Sequence, residues 1–357
     1  VIPGPRWFAA ENDTVRTLTG SNEPGHVDHL WMNAFGVVAS ALGNHELDQG
    51  PGEFSDALST ESRNGVVFPG TRFPYLAANV DFSGDADLAQ RIGVDGDDAR
   101  RMGGQVAGSA IVRVRNEFVG LVGAATPQLP NITTTGALTV EGSTTAIEQL
   151  AAAIQPQIDA LTATGIDKII LLSHMQQISI ERALAQALTD VDIIVAGGSN
   201  TRMGDSTDTL FPGDAAFAEP YPFSTTDANG GTTLIVNVDG DYKYLGRLVV
   251  AFDDAGQIIP GSLDEAANGA WASTAENVTQ AGGLPMEAVV ASRDAVQGVI
   301  FDQFENVVGH TDVFLEGRRG VVRTQETNLG NLTADSMVAY AENCSELTNV
   351  LALKNGG

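Results

Sequence analysis

Residues 167–202 read DKIILLSHMQQISIERALAQALTDVDIIVAGGSNTR, and this stretch decides the fold. The run at 167–177 is apolar and β-branched, as in a buried strand, and it passes into polar residues at Ser173-His174. ERALAQAL (181–188) has helical periodicity, and VDIIVAGGSNTR (191–202) is a second buried strand ending in the polar loop Gly198-Ser199-Asn200. Strand, helix and strand at this spacing is the signature of an α/β domain. Ligands of such domains gather beyond the carboxyl ends of the strands.

The same rhythm extends outward in both directions. Ile147, Leu150, Ala151, Ile154, Ile158 and Leu161 share one helical face, which Pro156 is expected to kink. SAIVRVRNEFVGLVGAATP (109–127) predicts a hairpin turning near Asn116, and FPYLAANVDF (73–82) predicts one strand. The acidic, glycine-rich segment 83–108 reads as an excursion loop; its cluster at 95–98 lacks the spacing and terminal Glu of a calcium loop. TTLIVNVDGDYKYLGRLVVAFDDAG (232–256) predicts a pair of hairpins, turning at Asp239-Gly240 and at 253–256. The stretch 257–283 is poor in apolar residues and suits a linker, 285–304 is helical, and a new domain is expected from about Asn306.

Composition limits the function classes. The chain has 357 residues, 43% of them hydrophobic and 18% charged, with a formal net charge of −26. Lys168, Lys243 and Lys354 are its three lysines. Such an acidic surface repels nucleic-acid backbone and anionic membranes, so no nucleic-acid partner is expected. It also repels a phosphorylated small molecule, unless metal ions or local arginines reverse the field. Adaptation to salt, or solubility, accounts for most of the charge. Cys344 is the single cysteine, so no intrachain disulfide forms, and no apolar run is long enough to span a membrane. The opening VIPGPRWFAA has neither a signal-peptide pattern nor an initiating Met, and VLALKNGG (350–357) stops on a strand-like run. Both ends are expected to be cuts within a longer protein. Oligomeric state is not legible.

The chemistry concentrates in ALGNHELDQG (41–50), where Asn44, His45, Glu46 and Asp48 crowd one tight connection after the apolar run at 37–42. Imidazole, amide oxygen and carboxylate together suit zinc, manganese or a similar divalent ion. Asp48 is near enough to orient His45, and a histidine so held beside a metal is a good proton donor to a leaving oxygen. A lone strand-end histidine is more often structural, and by itself His174 carries no more than that.

GNHELD (43–48) resembles the GNHE signature of calcineurin-like metallophosphoesterases, and its GNHE-x-D form resembles their 5′-nucleotidase branch. The agreement continues in order through FPYLAANVDF, GLVGAATP, SHM, DIIVAGGSN, DGDYKYLGRLVVAFD and VVRTQETNLGNLTAD (321–335). The resemblance implies a four-layer αββα sandwich followed by the start of a C-terminal α/β domain that recognises nucleotide. The expected boundaries are 1–265 for the metallophosphoesterase domain, 266–304 for a linker and connecting helix, and 305–357 for the beginning of the substrate domain.

It also implies roles. Asn44 and His174 match metal ligands, and Asn200 holds the last ligand position. His45 matches the catalytic histidine, supported by Asp48. Arg323 aligns with a nucleotide-binding arginine, and Asn355 opens a motif of which Asn355-Gly356-Gly357 is present. The cofactors implied are two divalent ions, of Zn, Mn, Mg, Ca or Co, and the substrate is a nucleotide or small phosphoester. Periplasmic or extracellular location follows from the same likeness. The family's Asp-x-His and Gly-Asp motifs precede GNHE and would lie before Val1, so this chain alone is expected to be inactive. Gly198 stands where a further histidine ligand belongs. Two alternatives stay open: a non-catalytic nucleotide- or phosphate-binding homologue, and a broader phosphatase or 2′,3′-cyclic-nucleotide phosphodiesterase.

Overall fold

The computed structural model describes residues 12–23, 25–307, 309–344 and 349–354. It divides into two units, Val1–Phe301 and Asp302–Gly357.

In the first unit, α1 (Asp13–Thr19) and α2 (His26–Phe35) lead to the short strand β1 (Ser40–Ala41). The loop carrying His45 follows, then α3 (Pro51–Leu58), whose proline sits in the first turn where no amide donor is needed. β2 (Thr60–Arg63) and β3 (Val66–Pro69) form a hairpin, followed by β4 (Tyr75–Leu76), β5 (Val80–Asp81) and β6 (Val106–Ala107). β7 (Ser109–Val114) and β8 (Glu117–Ala125) make the expected hairpin. Next come α4 (Leu129–Ile132), β9 (Thr139–Val140) and α5 (Ile147–Thr162), which continues as one helix across Pro156. Then β10 (Ile169–His174), α6 (Ile178–Ala187) and β11 (Ile193–Val195) realise the strand–helix–strand unit. β12 (Phe223–Thr226), β13 (Thr232–Val236), β14 (Tyr244–Arg247), β15 (Gly269–Ala272), α7 (Ala275–Gln280) and α8 (Glu287–Phe304) complete the series.

Two sheets stack between helices. The larger has the order β12-β13-β11-β10-β8-β7, and the smaller, all parallel, has the order β1-β4-β6. On the outer face of the larger sheet, Leu150, Ile154 and Ile158 of α5 and Leu184 of α6 bury against Val122, Leu171 and Ile194. Leu121 points the other way and, with Ala110 and Val112, meets Leu76 and Ala107 of the smaller sheet. A Cβ on Gly123 would lie 2.0 Å from the carbonyl carbon of Leu76, so the sheets approach this closely only over a glycine. The far face of the smaller sheet, through Tyr75 and Val106, packs against Phe54 and Leu58 of α3. The layers are therefore helix, sheet, sheet, helix, the αββα sandwich expected. Each fully buried Leu or Ile in these seams contributes roughly 1.5–3 kcal/mol.

Two local expectations fail. FPYLAANVDF is two short strands, because the buried Asn79 amide bonds the main chain of Ala125 and Glu141 and interrupts the ladder. The hairpin across Asp239-Gly240 does not form: β13 runs parallel to β11, whereas β14 pairs antiparallel with β15 in a separate ribbon. Asp239, Asp241 and Tyr242 take positive φ of 80°, 62° and 56°, which carries the chain out of the first sheet. β15 lies in the stretch read as a linker, and Ala270 and Ala272 are buried against Tyr244. The turn at 253–256 does form, with Asp253 N donating to Gln257 O over 2.9 Å.

In the second unit, α9 (Arg319–Val322) and α10 (Asn328–Cys344) are the helices among the described residues. No helix among them is long and apolar enough to cross a membrane.

Candidate metal and phosphoester site

β8, β10, β11 and β13 run parallel, so their carboxyl ends share one edge. His174 is the last residue of β10, and residues 197–200 follow β11. Residues 43–48 leave β1 in the neighbouring sheet and turn through a short 3-10 helix at His45–Leu47. The glycine-opened turn is closed by Glu46, whose carboxylate accepts from Gly43 N at 2.9 Å.

These elements bring Asn44 and His174 together across 130 residues: His174 Nε2 lies 3.1 Å from Asn44 Oδ1. Gln176 Nε2 donates to the same oxygen at 2.5 Å. Burial lowers the His174 pKa, opposed by the negative charge of Glu46. The neutral, lone-pair form that a metal ligand must present is therefore favoured.

Beside this group, His45 Nδ1 sits 2.6 Å from Asp48 Oδ2, and Asp48 Oδ1 accepts from Thr133 Oγ1 at 3.0 Å. The His45 side chain is 44% exposed and Asp48 22%, so the imidazole's far edge is open while its near edge is held.

The two strand-end loops are tied from beneath. Glu181, fully buried in the first turn of α6, accepts from Ser173 Oγ at 3.2 Å and Met175 N at 3.3 Å. Burial pushes its pKa up to about 7, against the stabilisation these donors provide. Asn237 Nδ2 donates to Ser199 Oγ at 3.0 Å, which latches the 197–200 loop to the end of β13. Asn200 itself is exposed, and its Oδ1 lies 3.3 Å from where a Cβ on Gly240 would stand. Gly198 has φ +81°, and a Cβ there would lie 2.9 Å from His174 Nε2.

Asn44, His45, Asp48 and His174 are thus gathered in one place. Asn200 is on the adjoining loop, turned toward Gly240. Arg323 is exposed at the end of α9 in the second unit, and Asn355 lies outside the described residues. Sequence reasoning missed Gln176, Glu181 and Thr133. Glu181 had a signal, since it precedes Leu184 and Ala185 by three and four positions and so falls on the apolar face of α6.

Among the described residues no group of three or more His, Cys, Asp or Glu could hold a metal ion. The donors that converge are an imidazole and two carboxamides, a set that suits a divalent cation of the manganese or zinc type.

No family profile matches the chain. A mouse 5′-nucleotidase is 29% identical over 309 residues, covering 86% of this chain and 46% of its own length. A bovine 5′-nucleotidase is 28% identical over 336 residues, covering 94% and 49% respectively. The crystal structure of a 5′-nucleotidase precursor from Thermus thermophilus superposes with a TM-score of 0.68 at 29% identity, over 90% of this chain and 54% of that one. Over most of its length the chain is similar to 5′-nucleotidases, in sequence and in fold. It spans about half the length of the curated relatives it matches. In this chain the His45–Asp48 couple stands beside the Asn44–His174 pair.

Proposed function

We propose that this chain serves metal-dependent hydrolysis of phosphomonoesters, with nucleoside 5′-monophosphates as substrates, in the periplasm or outside the cell. The observation that carries the reading is the convergence of Asn44 and His174 beside a histidine held by a carboxylate. Asn44 and His174 would hold a divalent ion, with Asn200 on the adjoining loop as a further ligand. Two such ions, when bound, neutralise the phosphate and lower the pKa of an attacking water.

The chain's own groups supply the rest. His45 Nε2 gives a proton to the leaving ribose oxygen, or stabilises its charge, while Asp48 fixes the ring and Thr133 fixes Asp48. Glu181 keeps the 173–175 loop in place beneath. Residues 305–357 belong to the substrate domain, where Arg323 and Asn355 hold the nucleotide, and 266–304 connect it to the metal domain, 1–265.

Phosphate release from AMP by the protein carrying this chain, with and without a chelator and against bis-p-nitrophenyl phosphate, tests the reading. Chelator-sensitive release from AMP supports it. Preference for the diester points to a phosphodiesterase, and release that a chelator does not touch overturns the metal role. Gly198, which offers no side chain, favours one second reading: nucleotide or phosphate binding without turnover.

A further inference from the structure

Gln176 follows His174 by two positions, and its backbone has φ +70°, a left-handed conformation uncommon for a residue with a side chain. Such conformations persist where the surroundings over-determine them, and they cluster at functional sites. Here the conformation aims the carboxamide at Asn44, with Nε2 2.5 Å from Oδ1, while the adjacent Gln177 is exposed.

The same turn fills the space in front of Gly198. A Cβ on Gly198 would lie 2.9 Å from His174 Nε2 and 3.0 Å from Gln176 N. A side chain at 198 and the present path of residues 174–176 exclude one another. The chain that lacks an imidazole at 198 thus places a carboxamide beside His174, from the opposite loop. We propose that Gln176 is a metal ligand of this site, its side-chain oxygen taking the coordination position that Gly198 leaves unfilled. This rests on the reading of Asn44 and His174 as ligands.

The chemistry is consistent with the distances. Asn44 Oδ1 now accepts from the Gln176 amide group, and a cation bound at Asn44 Oδ1 would repel those amide hydrogens. Rotation about the Gln176 Cγ–Cδ bond exchanges Nε2 for Oε1 and turns a donor into a neutral oxygen donor atom for the metal. Carboxamide oxygen suits hard and borderline divalent ions.

Cobalt(II) titrations by calorimetry, on the full chain and its variants, test this, together with the ¹³C resonance of the Gln176 carboxamide during a zinc titration. Gln176→Gly is the informative variant, because glycine accepts φ +70° without strain. Gln176→Gly should weaken cobalt binding at least ~10-fold, comparable to or beyond the loss of a supporting partner, while leaving the melting temperature unchanged or raised. Gln176→Glu should bind cobalt more tightly than Gln176→Gly, and zinc should shift the Gln176 carboxamide carbon downfield. Cobalt affinity within twofold of the parent in Gln176→Gly, with His174→Ala abolishing binding, would overturn the proposal and leave the metal site standing. Weakened binding with no shift of the carboxamide carbon also overturns it, since Gln176 would then only brace Asn44. Binding unchanged in His174→Ala as well as in Gln176→Gly removes the metal site itself.

Discussion

Gly198→Ala separates two costs that the structure superimposes at one residue. The first is conformational: φ is +81°, and a left-handed backbone costs an L-residue about 1–2 kcal/mol. The second is steric, because the added Cβ would stand 2.9 Å from His174 Nε2 and 3.0 Å from both His174 Cδ2 and Gln176 N. Such crowding in a packed region costs roughly 1–3 kcal/mol more. Gly213 is the control, with φ +90° and nothing within 4 Å of its added Cβ. Urea unfolding of the two variants should therefore show Gly198→Ala less stable than Gly213→Ala by about 1–3 kcal/mol. The displaced His174 ring should also show changed imidazole shifts in Gly198→Ala alone. Equal stability losses with an unmoved His174 resonance would refute the packing argument. Gly198→His, which at first sight restores a ligand, inherits both costs and should disturb the His174–Asn44 pair instead of tightening a metal.

Other consequences are more local. His45→Gln should lower kcat by roughly 10²–10⁴ with bound metal unchanged, and Thr133→Val by a smaller factor, because it frees Asp48 without removing the proton donor; metal loss in His45→Gln would make it a ligand. Burial raises the Asp192 pKa to about 7, its Oδ2 accepting from Ile169 N at 2.8 Å. A raised carboxyl pKa adds stability below its unfolded value and loses it as pH rises through about 7. Asp192→Asn should therefore gain on the parent protein by roughly 3–4 kcal/mol between pH 4 and pH 8, and a pH-independent difference in denaturation curves would contradict this. Arg323→Ala should raise KM for AMP far more than for a small phosphate ester; equal effects would remove Arg323 from nucleotide recognition. With a net charge of −26, raising ionic strength from about 0.01 M to 0.15 M should raise the melting temperature as repulsion is screened, and a fall would show that ion pairs dominate.

The fold was legible because its strands are continuous apolar runs and its helices carry a clean stripe. Ile170, Leu172 and Leu171 need no partner to announce a strand buried on both faces, and Leu150, Ile154 and Ile158 announce the helix that covers it. Asn44, His45 and Asp48 were legible for a related reason, since their chemistry is packed into one turn. Gln176 and Thr133 were not, because each acts only on a residue far away in sequence, Asn44 and Asp48 respectively. The failed hairpin has the same origin. Asp239 accepts an ion pair from Lys243 at 2.9 Å and another from Arg202 at 3.5 Å, and Arg202 belongs to the loop after β11. A contact set by a distant strand overrides what Asp-Gly would do alone.

That ion cluster also bears on how an acidic protein could accept an anion. Arg202, which follows the 197–200 loop in the chain, and Lys243 both pair with Asp214 as well as with Asp239. Tyr244 adds a hydrogen bond to Asp214 at 2.8 Å, so these charges are spent within the fold. At the site itself the described groups are the carboxamides Asn44 and Gln176, the imidazoles His45 and His174, and the carboxylates Glu46 and Asp48. None of these described side chains is a lysine or an arginine, and the protein's net charge is −26. At such short range, two like charges in a medium of intermediate dielectric repel by several kcal/mol. Divalent ions on Asn44, His174 and their neighbours, if bound, would supply positive charge for a substrate phosphate. On this electrostatic ground the proposed metal ions would serve substrate binding as well as chemistry.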